Sequence, residues 1–211
     1  MTRIMKHLFL LWLVVTGCCI FPARLSAASN EKTSDIPAPA ATRGAYMEAL
    51  TLSPETKPLV RKNMQQRLAQ LQQRFPGQVV ALRDSVVAGM VLPSADVFCS
   101  NDALLSDRGV ELLKRVAKLF PDAGNFHIVV AVHTANTGTE ARIERFSSQR
   151  AQAVARTLEQ ILGNTAVVAP FGMGAAEPVA RNSTYRGREE NRRVEIWFIP
   201  VTSWAERLAS R

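Results

Sequence analysis

The chain has 211 residues, of which 47% are hydrophobic, and carries 26 Lys and Arg against 18 Asp and Glu. That length accommodates one ordinary domain with flanking segments or two small ones, and the hydrophobic share excludes a wholly disordered chain. Three Cys and three His exclude a disulfide scaffold and a His-rich metal site, and the net charge of +8, spread out with no recognition motif, gives no reason to expect a nucleic acid as partner.

The N-terminus has the layout of an export signal. Arg3 and Lys6 precede the unbroken apolar run Leu8–Val15, and residues 1–27 contain no acid. The run is shorter than the roughly 20 apolar residues of a transmembrane helix. Two processing sites compete. Val15-Thr16-Gly17-Cys18 resembles a lipobox, which would make Cys18 a lipidated first residue; Leu25-Ser26-Ala27 suits ordinary signal-peptidase cleavage. Residues 28–52 are expected to form a flexible tether, because Ala, Pro, Ser and Thr dominate its first part without an apolar period. Ser53-Pro54-Glu55 then reads as a helix start. Val60, Met64, Leu68, Leu71 and Phe75 place one apolar stripe on an amphipathic helix over 53–76, stopped by Pro76-Gly77. The stripe could be covered by the following domain or by self-association with a second chain.

A domain is expected over 78–200. Val79–Leu82 and Val86–Leu92 read as strands joined by a hairpin at Arg83-Asp84-Ser85. Asn101–Phe120 reads as a helix whose stripe includes Ala103, Leu104, Leu113 and Leu119. The five apolar residues Ile128–Val132 fit a central strand covered on both faces. Glu140–Leu162 is a long helix ended by Gly163-Asn164, and Ala166–Val168 is a short strand. Val194, Ile196 and Phe198 alternate with Arg193, Glu195 and Trp197 as a half-buried strand. Residues 201–211 form a tail with a short helix. The fold class is α+β: a sandwich with helices packed on one face of a mixed sheet, in the order β-β-α-β-α-β, then a loop or helical turn, then β.

No catalytic constellation emerges. His127 and His133 are six residues apart on one strand, about 20 Å, so they cannot share a metal or a substrate atom. Ser147 and Ser148 fall inside a helix without a nucleophile elbow. No metal motif, phosphate loop or C-x-x-C exists, and no cofactor is implied. The informative residue is Arg150, four after Phe146 and four before Val154, which puts it on the buried stripe of its helix. A buried guanidinium must snorkel, pair with a protein acid, or line a pocket for an anionic ligand.

The residues around it carry a resemblance. They run through Val132-His133-Thr134-Ala135-Asn136-Thr137-Gly138, Ser147-Ser148-Gln149-Arg150-Ala151, Gly172-Met173-Gly174 and Asn182-Ser183-Thr184. They end on Gly187-Arg188 and Asn191-Arg192-Arg193-Val194-Glu195. From about Val79 to Pro200 the chain resembles the OmpA-like peptidoglycan-associated domain. The resemblance implies a non-catalytic protein of the periplasm, associated with the outer membrane through a lipid anchor or a partner protein. It implies non-covalent binding to peptidoglycan through the diaminopimelate of the stem peptide. In that family an Asp in His-Thr-Asp-x-x-Gly takes the ligand's ammonium and an Arg fifteen residues later takes its carboxylate. Arg150 occupies the Arg position and Arg192 keeps the first Arg of Asn-Arg-Arg; Thr134 and Asn136 flank the Asp position. Three positions depart from the pattern: Ala135 stands at the Asp, Ile143 at an Asn eight residues on, and Cys99 at the Asp after the opening Phe. The expected function is therefore peptidoglycan association through a weakened or altered pocket. The alternative is a degenerate domain serving as a structural or protein-interaction module.

Export is testable directly. The intact mass of the protein purified from cell envelopes is expected to show either an acyl adduct on Cys18 or an N-terminus near Ala28. A retained Met1 on most molecules would overturn export.

Overall fold

The computed structural model describes residues 42–163 and 166–210. The expected signal segment, Cys18 and most of the tether lie outside them. Helices α1 (Arg43–Ala49) and α2 (Thr56–Arg74) lead into strands β1 (Val79–Leu82) and β2 (Val87–Pro93). Then come α3 (Ser94–Val97), α4 (Asp107–Ala117), β3 (Phe126–His133), α5 (Glu140–Leu162) and β4 (Val167–Gly174). The order ends with α6 (Tyr185–Asn191), β5 (Arg193–Pro200) and α7 (Thr202–Ala209). None of the described helices is long and apolar enough to cross a membrane.

The sheet has the order β1-β2-β5-β3-β4. Every pairing is antiparallel except β3 with β4, which α5 joins by a crossover. The class is the expected one, an α+β arrangement on a mixed sheet. Alternation sorts its two faces. Phe198 stacks on Phe120 just beyond α4, and Gly172 meets Ser148 of α5, so the even-numbered residues of β3 and β5 face α4 and α5. The apolar stripe of α2 is buried against the same body: Val60, Met64, Leu68, Leu71 and Phe75 all belong to its core, and Arg67 lies over the rings of Phe120 and Phe126. The chain itself thus covers the stripe for which self-association was the other expectation. The tail is also part of the core, with Trp204 of α7 packed on Phe126.

Four expectations need correction. The tether is not extended over its last part, because Arg43–Ala49 forms α1, capped by the Thr42 side chain, with Tyr46 against His127 and Phe171. The helix expected from Asn101 begins only at Asp107. Asp102 accepts hydrogen bonds from the amides of Ala103 and Leu104 and turns the chain there, while Ser106 caps the true helix through Gly109 N. Leu104, expected on the stripe, is 66% exposed. The strand expected over Ala166–Val168 extends to Gly174, its hydrogen bonds supplied by β3. Strand β5 is buried along its whole length rather than on one face.

The reason for that last correction is a charge cluster on the face that α1 caps. The Glu195 carboxylate accepts from Arg193 Nε at 2.7 Å, Arg43 at 3.1 Å and Trp197 Nε1 at 3.2 Å. His133 Nε2 lies 3.3 Å away, close enough for electrostatic contact though not aligned as a hydrogen bond. Arg43 also holds Glu177 at 2.7 Å, tying α1 to the sheet. Burial alone would raise the Glu195 carboxyl, but the contact with His133 and the hydrogen bond and charge of Arg193 outweigh it and hold the group at about 2. An unfolded Glu titrates higher, near 4.5. The cluster's contribution is therefore complete above about pH 4.5 and is lost as pH falls towards about 2. Urea unfolding of Glu195→Gln is expected to show a loss of about 3 kcal/mol at pH 7, because Arg193 and Arg43 lose their buried counter-charge. The difference from wild type should shrink as pH falls from 4.5 towards 2. A pH-independent difference would show that charge is not what Glu195 contributes.

Candidate functional site

The site is built where α5 crosses the ends of β3 and β4. A Cβ at Gly172 would collide with the backbone of Ser148, so the absence of a side chain lets α5 lie directly on β4. Ser147 fixes the register: its buried hydroxyl donates to Glu144 O and accepts from Gly174 N at 3.0 Å. Between Val132 and His133 the β3–β4 register slips by one residue, and Thr134 N then bonds Gly174 O at 2.8 Å. The slip turns the segment after β3 outward, past α5, and one turn along that helix stands Arg150.

Arg150 is 7% exposed. Its guanidinium sits 4.4 Å from the ring centroid of Phe98 and 4.2 Å from that of Phe146. Its Nε donates to the Asp102 carbonyl at 2.8 Å. Among the described residues, no hydrogen bond or ion pair reaches its two terminal nitrogens. Burial is the chief cause that lowers the group to about 10, opposed by the charge of Asp102 and reinforced by that of Arg192, so it is still a cation at neutral pH. Arg150 thus stands in the wall of a cleft, with cation–π contacts in place of an ion pair.

The opposite wall comes from α3 and α6. Ser94 N donates to Arg192 O at 2.9 Å and joins the two. Gly187 lets α6 sit against the carbonyl of Arg181, where a Cβ would clash. Asn191, fully buried, uses its whole amide. Its Oδ1 accepts from Val179 N and Ala180 N, and its Nδ2 donates to Ala180 O and Asn182 Oδ1. The loop before α6 is thereby fixed, and Arg192, the next residue, points its guanidinium to Glu189 at the cleft.

The result is a cleft of about 530 Å³. Arg150, Arg192, Thr134, Ala135, Ile143 and Cys99 all line it, so the residues singled out from sequence come together here, with one exception. Asn136 is exposed and does not line the cleft wall. Cys99 is an exposed free thiol. Ser94, Phe98, Phe146, Arg142 and Glu189 complete much of the wall. Phe98 and Phe146 read from sequence as ordinary apolar positions, and Ser94 carried no signal at all; their roles come from facing Arg150 across the cleft. Ser94 Oγ and Thr134 Oγ1 are buried hydroxyls without a hydrogen-bond partner among the described residues. Among those residues no group of three or more His, Cys, Asp or Glu side chains is placed to hold a metal ion.

This sheet, helix order and cleft define an OmpA-like domain. A model of the OmpA family matches residues 97–192. The chain is 32% identical over 136 residues to the probable lipoprotein YiaD of Escherichia coli (strain K12), a match covering 63% of this chain and 61% of that protein. It is 38% identical over 104 residues to the peptidoglycan-binding protein ArfA of Mycobacterium tuberculosis (strain ATCC 25618 / H37Rv), covering 47% of this chain and 30% of that one. The chain thus spans less than two thirds of either relative. Among solved structures it is similar to the cell wall anchor of the T6SS from Pseudomonas aeruginosa. That match has a TM-score of 0.55 and 28% identity, and covers 66% of this chain and 99% of that one.

Asn191→Ala removes four hydrogen bonds, among them those that hold the amides of Val179 and Ala180. The expected cost is about 2–4 kcal/mol in urea unfolding. A loss under 0.5 kcal/mol would mean that the loop before α6 is held by other contacts.

Proposed function

We propose that this chain is a non-catalytic cell-envelope protein that associates non-covalently with peptidoglycan through the cleft of its OmpA-like domain, residues 78–200. The observation that carries the reading is Arg150: a buried guanidinium in the wall of an open cleft, whose terminal nitrogens have no hydrogen bond or ion pair among the described residues. Such a group suits bidentate recognition of a carboxylate. The ligand is the diaminopimelate of the stem peptide, its carboxylate on Arg150 with Arg192 beside it. Relatives and structural neighbours described as a peptidoglycan-binding protein and a cell wall anchor support this. The protein then works in the periplasm at the outer membrane, held there by a lipid on Cys18 or by a partner protein; relatives described as lipoproteins favour the first.

Ala135 leaves the ligand's ammonium without the counter-charge that the family provides. A hydrogen bond to a charged group contributes about 1.5–3 kcal/mol, so binding of the free amino acid is weaker by roughly 10- to 150-fold than with an Asp in place. The second reading, an interaction module without peptidoglycan binding, draws its support from the same substitutions, with Ile143 and Cys99 also in the cleft wall.

Co-sedimentation with purified sacculi separates the two. Wild type is expected to pellet with sacculi and Arg150→Ala to lose at least tenfold in affinity while keeping its unfolding midpoint within reach of wild type. In calorimetry with a diaminopimelate-containing muropeptide, Ala135→Asp is expected to tighten binding. If wild type does not pellet, or if Arg150→Ala pellets equally, the cleft is not a peptidoglycan site.

A further inference from the structure

The charges around the cleft do not balance. Three guanidinium groups line it, from Arg142, Arg150 and Arg192. Among the described lining residues the one acid is Glu189, and it is paired to Arg192. The nearby Asp102 carboxylate is turned to the amides of Ala103 and Leu104, and Asp96 is paired with Arg108. A ligand cation entering here meets Arg142 and Arg150, the second only partly offset by the charge of Asp102, and no unpaired carboxylate in the described lining. The rest of the wall is neutral. Ala135 is 1% exposed and Ile143 supplies methyl groups. Ser94 Oγ and Thr134 Oγ1 are partnerless hydroxyls, each able to donate or to accept. Such a wall gives an acylated amine neutral surroundings and penalises an ammonium.

We propose that the cleft selects a carboxylate whose neighbouring amine is already acylated, and disfavours the free zwitterion. This rests on the peptidoglycan reading above and narrows it. Within peptidoglycan such a group exists where the side-chain amine of a stem peptide has been consumed in a crosslink, leaving the adjacent carboxylate free. The protein then marks crosslinked wall rather than uncrosslinked stems.

Two fragments test this, the same stem tripeptide ending in diaminopimelate with its side-chain amine either free or acetylated. Each is titrated into the full mature chain by calorimetry. The acetylated fragment is expected to bind roughly tenfold tighter, the scale of one like-charge contact largely screened by water. Ala135→Asp, checked for a wild-type melting profile, is expected to reverse the order. The wild-type comparison alone is decisive if that variant misfolds. Equal or tighter binding of the free-amine fragment overturns the selectivity; the peptidoglycan reading survives if sacculi still pellet the protein. Binding of neither fragment also overturns it, and failure to pellet with sacculi then removes the broader reading as well.

Discussion

A guanidinium buried without an acid against it is the constraint around which this domain is arranged. Removing such a charge from water is costly, and it persists only where other groups replace the lost hydration. At Arg150 the substitutes are two aromatic faces and one backbone carbonyl. Each comes from a different element. Phe146 is one turn away on the same helix, Phe98 follows α3, and the Asp102 carbonyl belongs to the loop between α3 and α4. The close approach of α5 to β4 at Gly172 sets the height of the guanidinium above the sheet. Disturbing any of these contacts exposes or strands the charge, so the cleft's shape and the local fold are coupled.

The two faces of the sheet handle charge in opposite ways. Around Glu195, Arg193 and Arg43 neutralise the carboxylate, Trp197 adds a hydrogen bond, and Arg43 links onward to Glu177. Both carboxylate oxygens are used, and the cluster holds α1 on the sheet. In the cleft, Arg150 keeps two terminal nitrogens unused and two hydroxyls lack partners. A closed set of charges stabilises; an open one, with room beside it, binds. This contrast is what favours the cleft over the Glu195 cluster as the proposed binding site.

The long motif that carries the family resemblance is mostly architecture. Gly172, Gly187, Ser147 and Asn191 permit close approach or satisfy backbone groups. Only Arg150 and Arg192 within it face the ligand space with charge. The chain can therefore match the family in order and spacing while Ala135, Ile143 and Cys99 in the cleft wall diverge, because the scaffold and the cleft wall are built from different residues.

What local periodicity and end signals specify could be read from the chain alone. The bounds of α5 followed from its stripe and from Gly163, the stripe of α2 from its spacing, and β2 from its apolar run. The burial of Arg150 was also legible, since its position on the stripe leaves it no other face. Contacts between distant segments were not legible. The loop at 101–106 resembles a helix in composition, but Asp102 turns it and Arg150, 48 residues away, holds its carbonyl. Full burial of β5 depends on α1, more than 140 residues earlier, arriving with Arg43. Whether Arg150 would snorkel, pair or line a pocket was decided only by Phe98, Phe146 and the walls facing them. A side chain's position on its own helix is set by neighbours three and four residues away. What it meets across the core is set by the packing of whole elements, which only the tertiary structure decides.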